Sequence, residues 1–271
     1  MPANPEDQRL QPLSVKPFSH VFSLPGSTIQ RLNRITDDMA IKLYDLAGAE
    51  DDRRFSPYCW RAKMALKHKG LDFETVPWRF TEKEALAPYK STTVPVLVDG
   101  NQSVYDSWAI ALYLDEVYPS RPRLFGGTEA RTLCDFFNQW TFKALHPLIM
   151  RIVVLDIFER IHPKDKPYFR ESREKRYGMS LETFGADPKG ALAAFRGALD
   201  PLRPVLVQNP FLGGNGPSYA DYILFGTFQW PRCISPVRLL EPDDPIYAWR
   251  ERLLQMYDGY AWKAKGYPVW A

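Results

Sequence analysis

Ser56, Pro57 and Cys59 lie together at a predicted junction between a strand and a helix. The apolar run 41–46 before them predicts the strand, and the run 60–69 after them predicts the helix. Ser56 occupies the expected N-cap position, and Pro57 occupies the first helical position. The serine hydroxyl and the first-turn N–H groups would then point the same way, at the positive end of the helix dipole. Such a corner stabilises an anion, including a thiolate, although a serine there can also be a simple cap.

Composition excludes several classes of function. The chain has 271 residues and a net charge of only +3, with acidic and basic residues interspersed, which argues against a nucleic-acid-binding protein. Three widely separated cysteines indicate a reduced, cytoplasmic setting and no metal site. The longest apolar run, 145–158, contains charged residues, so no membrane span is expected.

The first 38 residues differ from the remainder of the chain. They contain five prolines and no long periodic pattern, and they lack the apolar core of a signal peptide. Two interpretations stay open. Residues 1–38 form an extension attached to the folded body, or translation begins at Met39, two residues before the first predicted strand.

The sequence from 41 to 118 alternates between strand and helix patterns in the order strand, helix, strand, short helix, hairpin, helix. A Pro-, Arg- and Gly-rich stretch at 121–127 is typical of a linker, and the patterns after it are helical. We therefore predict an α/β domain over residues 39–120, followed by an all-helical domain over residues 128–271.

Four local features of the sequence predict details of the fold. Pro77 is expected to end the second strand, and Ser107 is expected to cap the helix after the hairpin. The apolar spacing over 128–158 predicts one long helix. Ser218 and Asp221 have the spacing of a capping box, which predicts a folding device at the start of a buried helix and no chemistry.

These features together resemble the glutathione transferase superfamily over about residues 40–260. The resemblance rests on four motifs in a characteristic order: Ser56-Pro57-Tyr58-Cys59, Val94-Pro95, Asp106-Ser107 and Ser218-x-x-Asp221. It implies a thioredoxin-like N-terminal domain that binds glutathione and an all-α C-terminal domain that holds a second substrate. It also implies a homodimer.

Within the superfamily, the sequence is similar to the β-etherase-type branch of bacteria and fungi. The similarity lies in residues 41–46, 56–61, 65–70 and 104–115. That branch contains enzymes that use glutathione to cleave lignin-type β-aryl ethers, which makes such an ether a candidate substrate.

The resemblance also assigns roles to individual residues. It implies that the Ser56 hydroxyl contacts the glutathione sulfur and that the Val94 backbone pairs with the cysteine of the tripeptide. The remaining glutathione contacts that it implies are a cis Pro95 beside the site, Asp106 and Ser107 at the γ-glutamyl end, and Lys90 at the glycine carboxylate. Asp106 stands where many relatives have Glu or Gln.

The implied reaction is attack of the glutathione thiolate on a small hydrophobic electrophile, most simply an aromatic one. Tyr58, Phe137, Trp140 and Phe142 are candidates for the wall of the electrophile pocket, although each also fits a core position. Tyr44, on the first strand, is interpreted as a core residue.

Two other functions remain open at this stage. Ser56-x-x-Cys59 looks like a thioredoxin dithiol motif that has lost its attacking cysteine, which leaves a thiol oxidoreductase using Cys59 as one alternative. A non-catalytic carrier with a transferase-like fold is the other. His68, His146 and His162 lack metal-like spacing and are interpreted as ordinary residues.

Overall fold

The computed structural model describes residues 40–268, so the predicted extension over residues 1–38 lies outside the described part of the chain. The strands are β1 (Ile41–Leu46), β2 (Phe73–Trp78), β3 (Val96–Asp99) and β4 (Gln102–Tyr105). The α-helices are α1 (Pro57–His68), α2 (Ser107–Val117), α3 (Thr128–Trp140), α4 (His146–Arg160), α5 (Lys166–Tyr177), α6 (Leu181–Phe184), α7 (Pro188–Ala198), α8 (Leu202–Gln208), α9 (Tyr219–Ile234) and α10 (Pro245–Gly259). Short 3-10 helices cover Lys83–Tyr89 and Pro163–Asp165, and a π-helical segment covers Thr141–Leu145.

The four strands form one sheet in the order β2-β1-β3-β4. β1 runs parallel to β2, with Ile41 opposite Phe73, and antiparallel to β3, with Leu43 opposite Leu97. β3 and β4 form the predicted hairpin. Helix α1 makes the crossover between the parallel strands, as parallel pairing requires. The predicted order of elements from 41 to 118 is therefore confirmed.

Pro77 does not end the second strand, because β2 continues to Trp78. β2 is an edge strand of the sheet, and its Pro77 pairs in register with Asp45 of β1. A proline is tolerated there, because its missing N–H can be on the side of the strand that has no neighbour.

Helix α9 packs very closely against the start of α1. A Cβ atom added at Gly226 of α9 would lie 2.3 Å from the carbonyl oxygen of Pro57 and 3.2 Å from a side-chain carbon of Arg61. Only a glycine permits this approach, so the position of the Ser56 corner depends on the helical part of the chain.

The predicted long helix over 128–158 is interrupted. α3 and α4 are separated by the π-helical segment, in which the Thr141 hydroxyl donates a hydrogen bond to the Phe137 carbonyl at 2.8 Å. A π segment inserts an extra residue into a helix, so the side chains after it lie on a different face from those predicted by regular spacing.

The capping box at the start of α9 is present. The buried carboxylate of Asp221 accepts hydrogen bonds from the backbone N–H groups of Ser218, Leu212 and Gly213, at 2.8, 2.7 and 3.0 Å. It also accepts one from the indole N–H of Trp249 at 2.9 Å. A carboxylate with this many donors holds together the loop before α9, α9 itself and α10, which agrees with the structural role expected for it.

Candidate active site

Ser56 is the N-cap of α1, as predicted. Its backbone is extended (φ −65°, ψ 125°), and its Oγ accepts a hydrogen bond from the Cys59 N–H at 3.3 Å. A hydroxyl has one hydrogen to donate and two lone pairs. Because the bond to Cys59 N–H uses a lone pair, the hydroxyl keeps one hydrogen that it can donate, to the nearby Cys59 thiol or to a ligand.

Ser56 lines a cavity of about 760 Å³. Tyr58, Val94, Pro95, Asp106 and Phe142 line the same cavity, so the structure brings together six of the residues predicted for the site. The Val94–Pro95 peptide bond is cis, as the resemblance implies. The opposite wall comes from the π-helical segment, α4, α5 and α9, with Phe142, His146, Arg173 and Trp230 among its residues.

Tyr58 is connected to a buried histidine. Its hydroxyl lies 3.2 Å from Nδ1 of His146, and Nε2 of His146 lies 3.1 Å from the Thr227 hydroxyl. That hydroxyl donates to the Ile223 carbonyl at 3.4 Å, so it accepts from the N–H at Nε2 of His146. Nδ1 of the neutral ring then accepts from Tyr58. The Tyr58 hydrogen is therefore donated to His146, which leaves Ser56 as the better hydroxyl donor to a bound sulfur.

The environment of His146 keeps its ring neutral. Burial, together with the charge of Arg61, holds the pKa of His146 well below its usual range. Burial also raises the pKa of Tyr58. Neither side chain therefore carries a charge at neutral pH, and neither opposes a negative charge at Ser56.

Arg61 places a buried positive charge near the same corner. Its guanidinium lies 4.8 Å from the centre of the Tyr58 ring, and its Nη1 donates to Oδ1 of Asn138 at 2.7 Å. Its Nε and Nη2 have no hydrogen-bond partner among the described residues. Helix α1 has no acidic residue in its first turn. Both features favour an anion at the N-terminus of α1.

The helix after the hairpin is capped one residue earlier than predicted. Asp106 is the N-cap of α2, and its carboxylate accepts from the N–H groups of Trp108 and Ala109 at 2.8 and 3.2 Å. Its φ of 75° is in the left-handed region, which an Asp tolerates better than most residues. Ser107 is the first helical residue and is buried, outside the lining of the cavity.

Three other predicted site residues also lie outside this lining. Lys90 is exposed at the end of the 3-10 helix, with a φ of 55°. Phe137 and Trp140 lie on α3 with their ring centres 5.2 Å apart, and both pack against the core. The expectation that they line the cavity is not met: their rings pack against the core, and Phe142 and His146 line the cavity from the same helical region.

The structure weighs against chemistry at Cys59. The side chain has no solvent exposure, and burial and the nearby Asp45 carboxylate raise the pKa of its thiol well above the usual range. A reactive cysteine needs the opposite environment. Tyr44 lies outside the cavity lining, where its hydroxyl is 3.2 Å from that of Tyr89.

Sequence patterns missed His146 and the basic side chains of α4 and α5 that line the cavity. His146 interacts with Tyr58 and Thr227, which are 88 and 81 positions away in the chain. The one available signal was a histidine inside an apolar run, directly before Pro147. A histidine buried among apolar residues needs hydrogen-bond partners for its ring nitrogens, or it has a function.

A four-stranded sheet with a serine-capped crossover helix, followed by a helical region that closes a cavity over it, defines the architecture of glutathione transferases. The family comparisons agree. A glutathione S-transferase N-terminal domain matches residues 52–122, and a glutathione S-transferase C-terminal domain matches residues 132–241. The chain belongs to the glutathione S-transferase superfamily.

Solved structures share this fold. A glutathione S-transferase of Ceriporiopsis subvermispora, in complex with glutathione, is 23% identical, with a TM-score of 0.70, and covers 82% of this chain and 98% of its own. Glutathione transferase GSTFuA3 from Phanerochaete chrysosporium is 26% identical, with a TM-score of 0.66 and coverages of 83% and 93%. These likenesses confirm the predicted fold class, a thioredoxin-like domain followed by an all-helical one.

Curated relatives match over shorter segments. Glutathione S-transferase Z1 of Arabidopsis thaliana is 42% identical over 111 residues, which is 39% of this chain and 50% of the relative. A zeta-class glutathione S-transferase of Euphorbia esula is 32% identical over 112 residues, with coverages of 40% and 50%. The matches thus span about half the length of these relatives. Within residues 40–268, no helix is long and apolar enough to cross a membrane.

Proposed function

We propose that this protein is a glutathione transferase in which Ser56 stabilises the thiolate of bound glutathione. The observation that carries the proposal is the geometry of Ser56. It caps α1 through a lone pair, faces a cavity of about 760 Å³, and has one hydroxyl hydrogen that a ligand sulfur can accept. Glutathione would lie along the sheet side of the cavity, between α1 and α2. Val94, Pro95 and Asp106 line this side, and we assign them, with Ser107 and Lys90, to the tripeptide.

The chemistry follows from the pKa of the thiol. A free thiol has a pKa of about 8.5, so little thiolate exists at neutral pH. Lowering this pKa by ~2 units needs about 2.7 kcal/mol of preferential stabilisation of the anion. A hydrogen bond from a hydroxyl to a charged group supplies ~1.5–3 kcal/mol, and the end of a helix adds ~0.3–1 kcal/mol. The stabilisation expected from Ser56 and the N-terminus of α1 is therefore large enough to lower the pKa of the bound thiol by ~2 units.

In the proposed reaction, the thiolate sulfur forms a bond to an electrophilic carbon held in the helical part of the cavity. The leaving group departs with the electrons of the bond that breaks, and the thiol proton passes to solvent. Tyr58 and Phe142 are the predicted aromatic candidates that line this space. Cleavage of a β-aryl ether, with a phenolate as leaving group, is one reaction of this type. It is favoured here by the sequence similarity to the β-etherase-type branch.

Titration calorimetry with glutathione, followed by a turnover assay with 1-chloro-2,4-dinitrobenzene, tests the proposal. We expect saturable glutathione binding in the micromolar to millimolar range and release of chloride. Saturable binding without turnover of this or other electrophiles would favour the carrier alternative. No saturation up to several millimolar glutathione would refute the proposed function.

We also propose that the protein forms a homodimer. The proposal rests on the family resemblance and on an exposed apolar pair on α3, where Leu133 is 70% and Phe136 is 73% exposed. A second copy of the chain would cover this pair, and two-fold dimers are the commonest oligomers. In light scattering, we expect Phe136→Lys to shift the mass toward that of a single chain. A concentration-independent single-chain mass for the parent would contradict the proposal.

A further inference from the structure

Positive charge is concentrated on the helical wall of the cavity. Lys143, Arg151, Arg173 and Arg176 line it, and within residues 40–268 none of the four forms an ion pair with a carboxylate. The acidic side chain in the same lining is Asp106, whose carboxylate already caps α2. The space in which the electrophile would bind is therefore electropositive, although the chain as a whole has a net charge of only +3.

Aromatic rings hold two of these cations, Arg151 and Arg173, at the cavity wall. The Arg173 guanidinium lies 4.6 Å from the ring centre of Phe169 and 5.0 Å from that of Phe80, and both rings line the cavity. The Arg151 guanidinium lies 4.8 Å from the ring centre of Phe184, which also lines it. Contact with an aromatic face positions a cation without neutralising it, so the charge remains available to a ligand.

A second arginine on the same helix, Arg170, differs from Arg173 because it forms ion pairs with carboxylates. Arg170 of α5 lies outside the cavity lining, and it forms ion pairs with Glu174 and Glu182, each at 2.8 Å. One turn further along α5, Arg173 faces the cavity and has no such partner among the described residues. Glu174 and Glu182 therefore form their ion pairs with Arg170, outside the cavity lining, and leave Arg173 without a carboxylate partner in the described part of the chain.

Arg173 also has unused hydrogen-bonding capacity. Its Nη1 donates to the Ser172 hydroxyl at 2.8 Å, but its buried Nε has no hydrogen-bond partner within the described residues. Burial and the charge of Arg176 lower the pKa of Arg173. A half-buried guanidinium in this state would gain from a bound carboxylate, which could accept from its N–H groups and neutralise part of its charge.

We propose that the electrophile bound in this cavity is an aromatic anion, most simply an aryl carboxylate, with its ring against the aromatic wall and its carboxylate at Arg173. Lys143, Arg151 and Arg176 add to the attraction. This inference rests on the proposed transferase function and specifies its substrate class. It adds a negative charge to the small hydrophobic, aromatic electrophile expected from the sequence.

A matched pair of electrophiles tests the inference. 4-Chloro-3,5-dinitrobenzoate and its methyl ester differ in one negative charge. In both, the glutathione sulfur bonds to the ring carbon that carries chlorine, and chloride leaves with the electron pair of the C–Cl bond. Each kcat/KM is divided by the uncatalysed rate constant with glutathione at the same pH, which removes the difference in intrinsic reactivity. We expect the normalised value for the carboxylate to exceed that for the ester by about tenfold or more at low ionic strength.

Charge-removing variants connect this preference to the cavity wall. The triple variant Lys143→Gln, Arg151→Gln, Arg176→Gln should reduce the preference by about threefold and leave the contribution of Arg173, because exposed pairs each contribute modestly. Since the three side chains are exposed, folding should be preserved. The matched control replaces Lys42, Lys175 and Lys189 by Gln, which changes the net charge equally at exposed positions outside the cavity lining.

Arg173→Lys and Arg173→Gln address the central residue. Lys keeps the charge, so it should retain most of the preference that Gln loses, and the KM for glutathione should stay unchanged in both variants. Equal normalised rates for carboxylate and ester in the parent would overturn the inference and leave the transferase function standing. The inference would also be overturned if the Lys42, Lys175, Lys189 control lost as much of the preference as the triple variant. A rise in the KM for glutathione, with no rise in the KM for the carboxylate, in the Arg173 variants would overturn it as well. Absence of turnover with both electrophiles would overturn the proposed function itself.

Discussion

Replacing Ser56 separates its two roles, capping α1 and stabilising the thiolate. In Ser56→Ala, the Trp60 N–H keeps its bond to the Ser56 backbone carbonyl at 3.0 Å, and only the cap bond from the Cys59 N–H is lost. One cap bond corresponds to about 0.5–2 kcal/mol of stability. Ser56→Gly removes the same hydroxyl, but glycine is a competent N-cap, so losing the serine cap costs only a few tenths of a kcal/mol of stability. The greater backbone freedom of glycine in the unfolded chain adds a separate entropic cost.

The effect on the thiol should be equal in the two variants. A hydroxyl donor to a charged group contributes ~1.5–3 kcal/mol, which is about 1–2 pKa units for the bound thiol. If the bound thiol of the parent titrates near pH 6.5, turnover at that pH should fall by about 5- to 50-fold in both variants. Above the raised thiol pKa of the variants the thiolate forms without the hydroxyl donor, so the difference in turnover from the parent should nearly disappear by about pH 9.5.

The assay is the thiolate absorbance of bound glutathione as a function of pH, measured beside a urea unfolding curve. Cys59→Ala is the matched control, because its side chain is buried and its thiol pKa is raised by burial. That variant should lose some stability and leave the titration of glutathione unchanged. An unchanged thiolate pKa in both Ser56 variants would refute the reasoning and reduce Ser56 to a cap. Loss of activity in Cys59→Ala alone would instead support the oxidoreductase alternative.

Three further predictions concern the surroundings of the site. Gly226→Ala should cost about 1–3 kcal/mol in urea unfolding and reduce turnover, because its methyl group would meet the Pro57 carbonyl at 2.3 Å. Gly197→Ala is the control: its methyl group would enter open space, so it should stabilise the protein by ~0.5–1 kcal/mol. Since the pKa of His146 is lowered in the folded protein, the unfolded chain takes up the proton first as the pH falls below about 6.5, and stability should decrease by up to ~1.4 kcal/mol per pH unit. His146→Asn should therefore flatten the fall in unfolding free energy between pH 7 and pH 5, and an unchanged slope would contradict the assignment of a neutral ring. Asp221→Ala should cost about 3–5 kcal/mol in urea unfolding, because five donors lose their acceptor. Asp221→Asn should cost less, and equal losses in the two variants would argue against the hydrogen-bond account.

The local patterns of the sheet region were sufficient to predict its elements. The N-cap at Ser56 could be predicted because a serine, a proline and an apolar helical run are adjacent in the sequence. The cap of α2 was shifted by one residue, because Asp106 and Ser107 are both good capping residues and propensity does not distinguish neighbours. Pro77 was misjudged because its tolerance depends on β2 being an edge strand, which is a property of the sheet order.

The helical wall of the cavity was harder to predict, because it depends on which helix face turns inward. Phe137 and Trp140 precede the π-helical segment and pack against the core, whereas Phe142 and His146 line the cavity. The π-helical segment changes the face, and the sequence carries no clear signal for it. The partners of His146 are more than 80 positions away, so its role could not be predicted from local sequence. The face of α5 that carries Arg173 is likewise defined only by its neighbours in the fold.

Folding and chemistry are coupled through α9. Asp221 makes no contact with the cavity lining in its hydrogen bonds, yet it fixes the start of the helix that contains Gly226. Gly226 in turn contacts the carbonyl of Pro57, the residue next to the proposed donor Ser56. Thr227, the following residue of α9, accepts from Nε2 of His146, so Nδ1 of that ring accepts the Tyr58 hydrogen. One helix of the all-helical region therefore positions the serine hydroxyl and removes the competing tyrosine donor, which is why Ser56 depends on residues distant from it in the sequence.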